Sequence, residues 1–133
     1  MLPAMPRPRL PRPTDAELEI LNVLWRRGPS TVREIYEEIS AARATGYTSV
    51  LKLVQIMAGK ELVEREEVHR AHIYRATAPQ EDTQRALIRD LVERAFGGSA
   101  ARLVMHALAS ERASAEDRAL IRKMLKEYEG GAK

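Results

Sequence analysis

Two Thr-x-x-Glu motifs, each followed by apolar residues at helical spacing, constrain this sequence more than any other feature. Thr14 precedes Glu17 and Thr31 precedes Glu34. In such a motif each side chain hydrogen-bonds the backbone of the other residue at the start of a helix. A Gly-Pro pair separates the two apolar runs and stops the first helix. The sequence therefore predicts two short helices in close succession, the first over roughly residues 15 to 27.

A third apolar stripe follows, after which the period of the sequence changes. The stripe consists of Val50, Leu53, Val54 and Met57. Its spacing predicts a helix that begins near residue 46. The segments LVEREEV and HIYRA then predict two short strands joined by a tight polar turn. Three helices followed by a hairpin are the element order of a winged helix-turn-helix, which we assign to residues 14–78.

The remaining sequence predicts three amphipathic helices. Gly97 and Gly98 end the first of them, Ser99 caps the second, and Ser114 with Asp117 caps the third. Helices of this length do not bury their apolar faces well alone, so we expect a C-terminal helical dimerisation domain over residues 79–130. The alternative is a helical cap folded back on the winged helix. The residues assigned to the dimer interface are Leu87, Leu91, Phe96, Leu103, Leu120 and Met124.

The predicted fold class is mainly α with a small β-hairpin, and a basic arm precedes it. Residues 1–13 are rich in proline and predict a disordered segment. Its three arginines, Arg7, Arg9 and Arg12, either follow a DNA backbone or minor groove or have no role.

The distribution of charge along the sequence favours nucleic-acid binding more than the net charge does. The net charge is +3, a mild basic excess that permits DNA binding without requiring it. Residues 43–60, however, contain no acid. Polar helix faces and turns are common in any soluble protein, but these lie on the third helix and at the tip of the wing. The predicted DNA contacts are Arg43, Tyr47, Thr48, Ser49, Lys52, Gln55, His69 and Arg70.

Several other classes of function are not supported by the sequence. It has no cysteine, and its three histidines are not spaced as a zinc set. No acid pair, nucleophile with a base, or glycine-rich phosphate loop is present, so we expect no metal, no cofactor and no enzyme activity. No apolar run is long enough to span a membrane, and the proline-rich start does not fit a signal peptide. We expect a cytoplasmic protein without direct membrane insertion.

Five segments in order resemble the BlaI/MecI family of bacterial transcriptional repressors of penicillinase and methicillin-resistance genes. They are TDAELEILNVLW, STVREIYEEI, GYTSVLKLVQIM, LVEREEVHRAHIYRA and AFGGS, and the resemblance covers residues 14 to about 128. It implies a homodimer that binds a palindromic double-stranded operator. It also implies release by proteolysis once a membrane-bound sensor metalloprotease is activated.

The resemblance has three departures. The bond cut in this family matches Ala95-Phe96, where relatives have asparagine before phenylalanine. Glu61 stands where relatives usually have glycine, so we expect the third helix to end differently. The cysteine pairs of the copper-responsive branch are absent. The alternative function is a winged-helix module that docks a protein partner on the hydroxyl-bearing face of the third helix.

Overall fold

The structure is a computed structural model that describes residues 12–131. Its elements are α1 (Asp15–Arg27), α2 (Val32–Ala42), α3 (Tyr47–Gly59), β1 (Val63–Val68), β2 (Ala71–Ala76), α4 (Gln80–Ala95), α5 (Ala100–Ala109) and α6 (Ala115–Gly131). The predicted fold class, mainly α with one small hairpin, is confirmed. The basic arm predicted at residues 1–13 lies outside the described residues, except for Arg12 and Pro13.

Both Thr-x-x-Glu motifs form the reciprocal hydrogen bonds that their spacing predicts. The Thr14 N–H donates to Glu17 Oε1 at 2.9 Å, and the Glu17 N–H donates to Thr14 Oγ1 at 3.2 Å. The same two bonds join Thr31 and Glu34 at 2.9 and 3.1 Å. Each bond satisfies a backbone or side-chain group that a helix start would otherwise leave to water. The starts of α1 and α2 are therefore fixed by local sequence.

One hydrophobic core joins α1, α2, α3 and the hairpin. Its most buried members include Ile20, Leu21, Ile35, Val54, Met57, Val63 and Tyr74. The two strands are antiparallel, and Val63 pairs with Ala76 at the open end of the hairpin. Tyr74 in β2 also exchanges two backbone hydrogen bonds with Ser30, at 2.8 and 2.9 Å. The connection between α1 and α2 thereby fastens the base of the hairpin to the helices, as in a winged helix.

The C-terminal helices lack such a core of their own. The chain divides into two compact units between Leu87 and Ile88, inside α4. The boundary predicted from the sequence, at residues 78–79, stays a prediction. No side chain of α4 or α5 is buried. Large apolar side chains are exposed along these helices and α6: Ile88, Leu91, Val104, Met105, Leu120, Met124, Leu125 and Tyr128.

The end of α3 is formed by Glu61 in the left-handed region, with φ of 63°. The Glu61 N–H donates to the Ala58 carbonyl at 3.1 Å, and the Leu62 N–H donates to the Met57 carbonyl at 2.9 Å. These two bonds make the Schellman arrangement that usually has glycine at its left-handed position. Gly59 stays helical and does not take over that conformation. The residue that departs from the family pattern therefore adopts the glycine conformation itself.

Glu61→Gly is expected to raise the free energy of unfolding by about 0.5–1 kcal/mol. A side chain in the left-handed region costs about 1–2 kcal/mol, and the greater flexibility of glycine in the unfolded chain offsets part of the gain. Urea denaturation of the full-length chain at fixed protein concentration measures the change.

Glu66→Gly is the matched control, because Glu66 is an exposed glutamate in β1 without a positive φ. Glycine inside a strand is expected to lower stability. Equal destabilisation by both changes would show that Glu61 is not strained.

Candidate nucleic-acid interface

The side chains predicted to meet DNA on α3 lie on its exposed face. Thr48, Ser49, Lys52 and Gln55 are all exposed. Val50, Val54 and Met57 are buried on the opposite side. Because a helix repeats every 3.6 residues, this division follows from the apolar spacing of the sequence. A mainly polar face of α3 is thus presented to the solvent.

The start of α3 carries neither a side-chain cap nor an acid. Gly46 is the N-cap residue and makes no side-chain hydrogen bond, and the first turn contains no carboxylate. The backbone N–H groups of a first helical turn have no partner within their own helix. Together with the positive end of the helix dipole, they favour an anion such as a phosphate.

Tyr47, at this start, is held by two side chains of α2. The Tyr36 ring meets the Tyr47 ring edge-on, with centroids 5.7 Å apart. The Arg33 guanidinium lies 5.8 Å from the centroid of the same ring. Edge-on aromatic pairs and a cation over a ring face both stabilise such a contact. Tyr47, a predicted DNA contact, therefore also packs the start of α3 against α2.

Arg43, another predicted contact, has an internal partner that the sequence analysis missed. Its guanidinium forms a fork with the Glu19 carboxylate of α1, with Nη2 2.7 Å from Oε1. Hydrogen bonding and the opposite charge lower the pKa of Glu19 and raise that of Arg43. Arg43 thus joins the end of α2 to α1, and part of its charge is balanced before any DNA approaches.

Lys60 is held at the end of α3 by a buried carboxylate. Its ammonium lies 2.9 Å from Glu17 Oε2, and the Glu17 side chain is only 1% exposed. Burial by itself raises the pKa of Glu17, but the hydrogen bond from the Thr14 amide and the contacts with Lys60 outweigh it. The pKa of Glu17 therefore lies below its ordinary value, and the charged pair joins the start of α1 to the end of α3.

The tip of the hairpin is a two-residue turn with an uncommon backbone. Val68 pairs with Ala71 across the turn. Both intervening residues have positive φ, 49° for His69 and 68° for Arg70. Turns of this type usually contain Asn and Gly, because other residues are strained there. Strain of this kind tends to occur where a protein binds something, and both side chains are exposed.

The predicted DNA contacts all belong to the first compact unit, which ends at Leu87. The residues predicted for the dimer interface and the cleavage site lie at the end of this unit or in the second one.

Arg75, in β2, is paired across the hairpin with Glu64 at 2.8 Å. Ile56 is also exposed and was not predicted from the sequence, although it is one helical turn beyond Lys52 and outside the buried stripe. Within residues 12–131, no group of His, Asp and Glu side chains could hold a metal ion. No helix in that range combines the length and apolarity needed to cross a membrane.

Comparison with known proteins gives the family. Residues 13–127 match the family described as "Penicillinase repressor". The chain belongs to the penicillinase repressor family. It is 33% identical over 125 residues to the transcriptional regulator BlaI of Mycobacterium tuberculosis, in both the CDC 1551 and H37Rv strains. That match covers 92% of this chain and 89% of the relative.

The family resemblance predicted from five sequence segments is confirmed. A solved structure is also similar, the solution structure of the monomeric form of Bacillus licheniformis BlaI in complex with the blaP half-operator. Its TM-score is 0.49 at 20% sequence identity, over 55% of this chain and 89% of that chain.

Glu17→Gln is expected to lower the free energy of unfolding by about 1–3 kcal/mol at pH 7, because the amide loses the charge that Lys60 and the Thr14 amide stabilise. The folded-state pKa of Glu17 is below its ordinary value. Its charge therefore stabilises the fold above that ordinary value, and this contribution is lost as the pH falls through the lowered pKa. The difference in the free energy of unfolding between the wild type and Glu17→Gln should therefore disappear as the pH falls through the lowered pKa of Glu17.

Glu37→Gln is the control, since the Glu37 carboxylate forms an exposed pair with Arg33 at 3.7 Å. Its removal should change stability by no more than about 0.5 kcal/mol. Urea denaturation at a series of pH values measures both variants. A Glu17→Gln effect that is independent of pH would contradict the role of the charged pair.

Proposed function

We propose that this chain is a sequence-specific, homodimeric transcriptional repressor that places α3 in the major groove of a palindromic double-stranded operator. The observation that carries the proposal is the exposed polar face of α3 in a segment, residues 43–60, without an acid. Carboxylates would be repelled by phosphates, whereas hydroxyls, Gln55 and Lys52 can bond base edges and backbone. In this function the chain acts in the cytoplasm, needs no cofactor and catalyses no reaction.

Contacts with the DNA backbone are proposed at the start of α3, at the wing tip and at Lys52. The uncapped start of α3, with Tyr47, Thr48 and Ser49, offers N–H and hydroxyl groups to a phosphate. The wing tip offers His69 and Arg70. In the described part of the chain, Lys52 and Arg70 form no ion pair, so their charges are available to phosphates. Arg43 would contact DNA only in addition to its bond with Glu19.

Replacing His69-Arg70 by Asn-Gly is expected to stabilise the fold while weakening DNA binding. Asn and Gly adopt the positive φ values of this turn with less strain, so the free energy of unfolding should rise by about 1 kcal/mol. Without the Arg70 charge, binding to all duplexes should weaken, and the salt slope should fall by about one unit for each phosphate that is no longer neutralised. Gel-shift titrations with the DNA upstream of the chain's own gene, over a range of salt, measure this.

Lys52→Ala should lower the salt slope similarly without the gain in stability. Arg122→Ala is the control, since Arg122 is exposed on α6 and outside the winged helix. Should the wing variant bind with wild-type affinity and slope, the wing does not meet the phosphates. If both the wing variant and Lys52→Ala bind DNA as the wild type does, the repressor proposal is wrong.

The dimer is proposed to form through the C-terminal helices. Leu91, Leu120 and Met124 are exposed in the single chain. Leu87, Phe96 and Leu103 are half-buried. Several apolar side chains on the same helices form a surface that a partner would cover. A second copy would do so with the same residues by two-fold symmetry. Two recognition helices would then reach two half-sites.

Release from the operator is proposed to follow cleavage between Ala95 and Phe96 by a membrane-bound sensor metalloprotease. α4 ends at Ala95, and Gly97 and Gly98 follow with φ of 57° and 83°. The Phe96 N–H donates to the Val92 carbonyl at 3.2 Å, and the Phe96 ring lies 5.6 Å from that of His106. A protease would have to open these contacts, which a helix end permits more readily than a helix centre. Cleavage would detach α5 and α6.

A chain ending at Ala95 should be monomeric by sedimentation and bind the operator much more weakly, because the second half-site contact is no longer tethered. The fluorescence of Trp25, the single tryptophan, should stay native, since Trp25 packs against the core of the winged helix.

Mass spectrometry of the protein from cells in which the operator has been released tests the cut itself. A fragment ending at Ala95 is expected. Intact chain in those cells would mean that release takes another route. In the sedimentation experiment, a chain that ends at Ala95 and still dimerises would place the interface elsewhere.

A further inference from the structure

Ile56 is the apolar exception on the exposed face of α3. Its side chain is 43% exposed, whereas Val54 and Met57 beside it are fully buried. It follows Lys52 by four residues and precedes Gly59 by three, spacings that place all three on one side of a helix. A Cβ added at Gly59 would meet nothing within 4 Å, so this part of the face is open. Ile56 is thus an accessible apolar group in the middle of a polar surface.

The chemistry of the major groove supplies one apolar group for such a side chain. Among the four base edges there, only thymine carries a methyl group, and the other bases present hydrogen-bond donors and acceptors beside small C–H groups. Gln55, the exposed neighbour of Ile56, bears the amide that pairs with the N6 and N7 atoms of adenine. Neighbouring A·T pairs would therefore satisfy both side chains at once. A G·C pair would offer Ile56 no methyl group.

We infer that Ile56 is a specificity-determining residue that contacts the 5-methyl group of a thymine in each operator half-site. This inference rests on the proposed DNA-binding function and adds the base that this part of α3 selects. Contact with the methyl group removes apolar surface from water on both molecules. The preference should therefore resemble the effect of one buried methyl group, about fourfold in affinity.

The test uses the full-length chain and a duplex that it enriches from a random pool. Each thymine of one half-site is replaced in turn by deoxyuridine, which lacks only the methyl group. For the wild-type chain, one thymine is expected at which the replacement weakens binding about fourfold. Ile56→Ala should bind the thymine and deoxyuridine duplexes equally at that position. Ile56 is exposed, so the variant should unfold at the wild-type temperature.

Gln55→Ala is the matched control on the same face. It should weaken binding and relax the preference for adenine, yet keep the fourfold effect of the methyl group. If Ile56→Ala retains the wild-type preference for thymine at every position, or if no thymine is preferred, the inference is overturned. Failure to enrich any duplex from the pool is a different result, since it overturns the DNA-binding function itself.

Discussion

The position of α3 depends on one buried carboxylate. Glu17 closes the cap of α1 through the Thr14 amide and at the same time holds the Lys60 ammonium at the end of α3. An ionised carboxylate without partners is strongly disfavoured at 1% exposure, so both contacts stabilise the fold while Glu17 is charged. The residue that starts the first helix thereby also fixes where the last turn of the proposed recognition helix lies.

The hairpin is anchored to the helices at its base and has a strained backbone at its tip. Backbone bonds join Ser30 to Tyr74, and the Trp25 indole N–H donates to the Ala78 carbonyl at 3.0 Å, just beyond β2. These contacts anchor the wing between α1 and the start of α4. An anchored base can maintain positive φ at His69 and Arg70, because the strain is small beside the stability of the core.

Local chemistry made the helices, the hairpin and their order predictable, since caps and apolar periods act over a few residues. The pairs Arg43–Glu19 and Glu17–Lys60 were not predictable, because they join residues that are distant in sequence and meet only in the folded core. Positive φ at Glu61 was missed because glycine usually marks such a helix end, whereas here the two local bonds to the Ala58 and Met57 carbonyls form around a glutamate. Ile56 was missed because an apolar residue in a helix suggests a core position. Its position four residues after Lys52 and outside the apolar stripe nevertheless indicates the exposed face.

The two halves of the chain differ in what stabilises them, and this difference links assembly to function. The most buried apolar residues, from Ile20 to Tyr74, all lie in the winged helix, so the exposed face of α3 does not depend on a second copy for its shape. The C-terminal helices expose their apolar faces, which a second copy covers under the proposed function. A monomer would therefore keep the recognition helix but lack the tether to a second half-site. Under the proposed function, affinity for the operator would be controlled by changes far from the DNA contacts, without unfolding the surface that reads the bases.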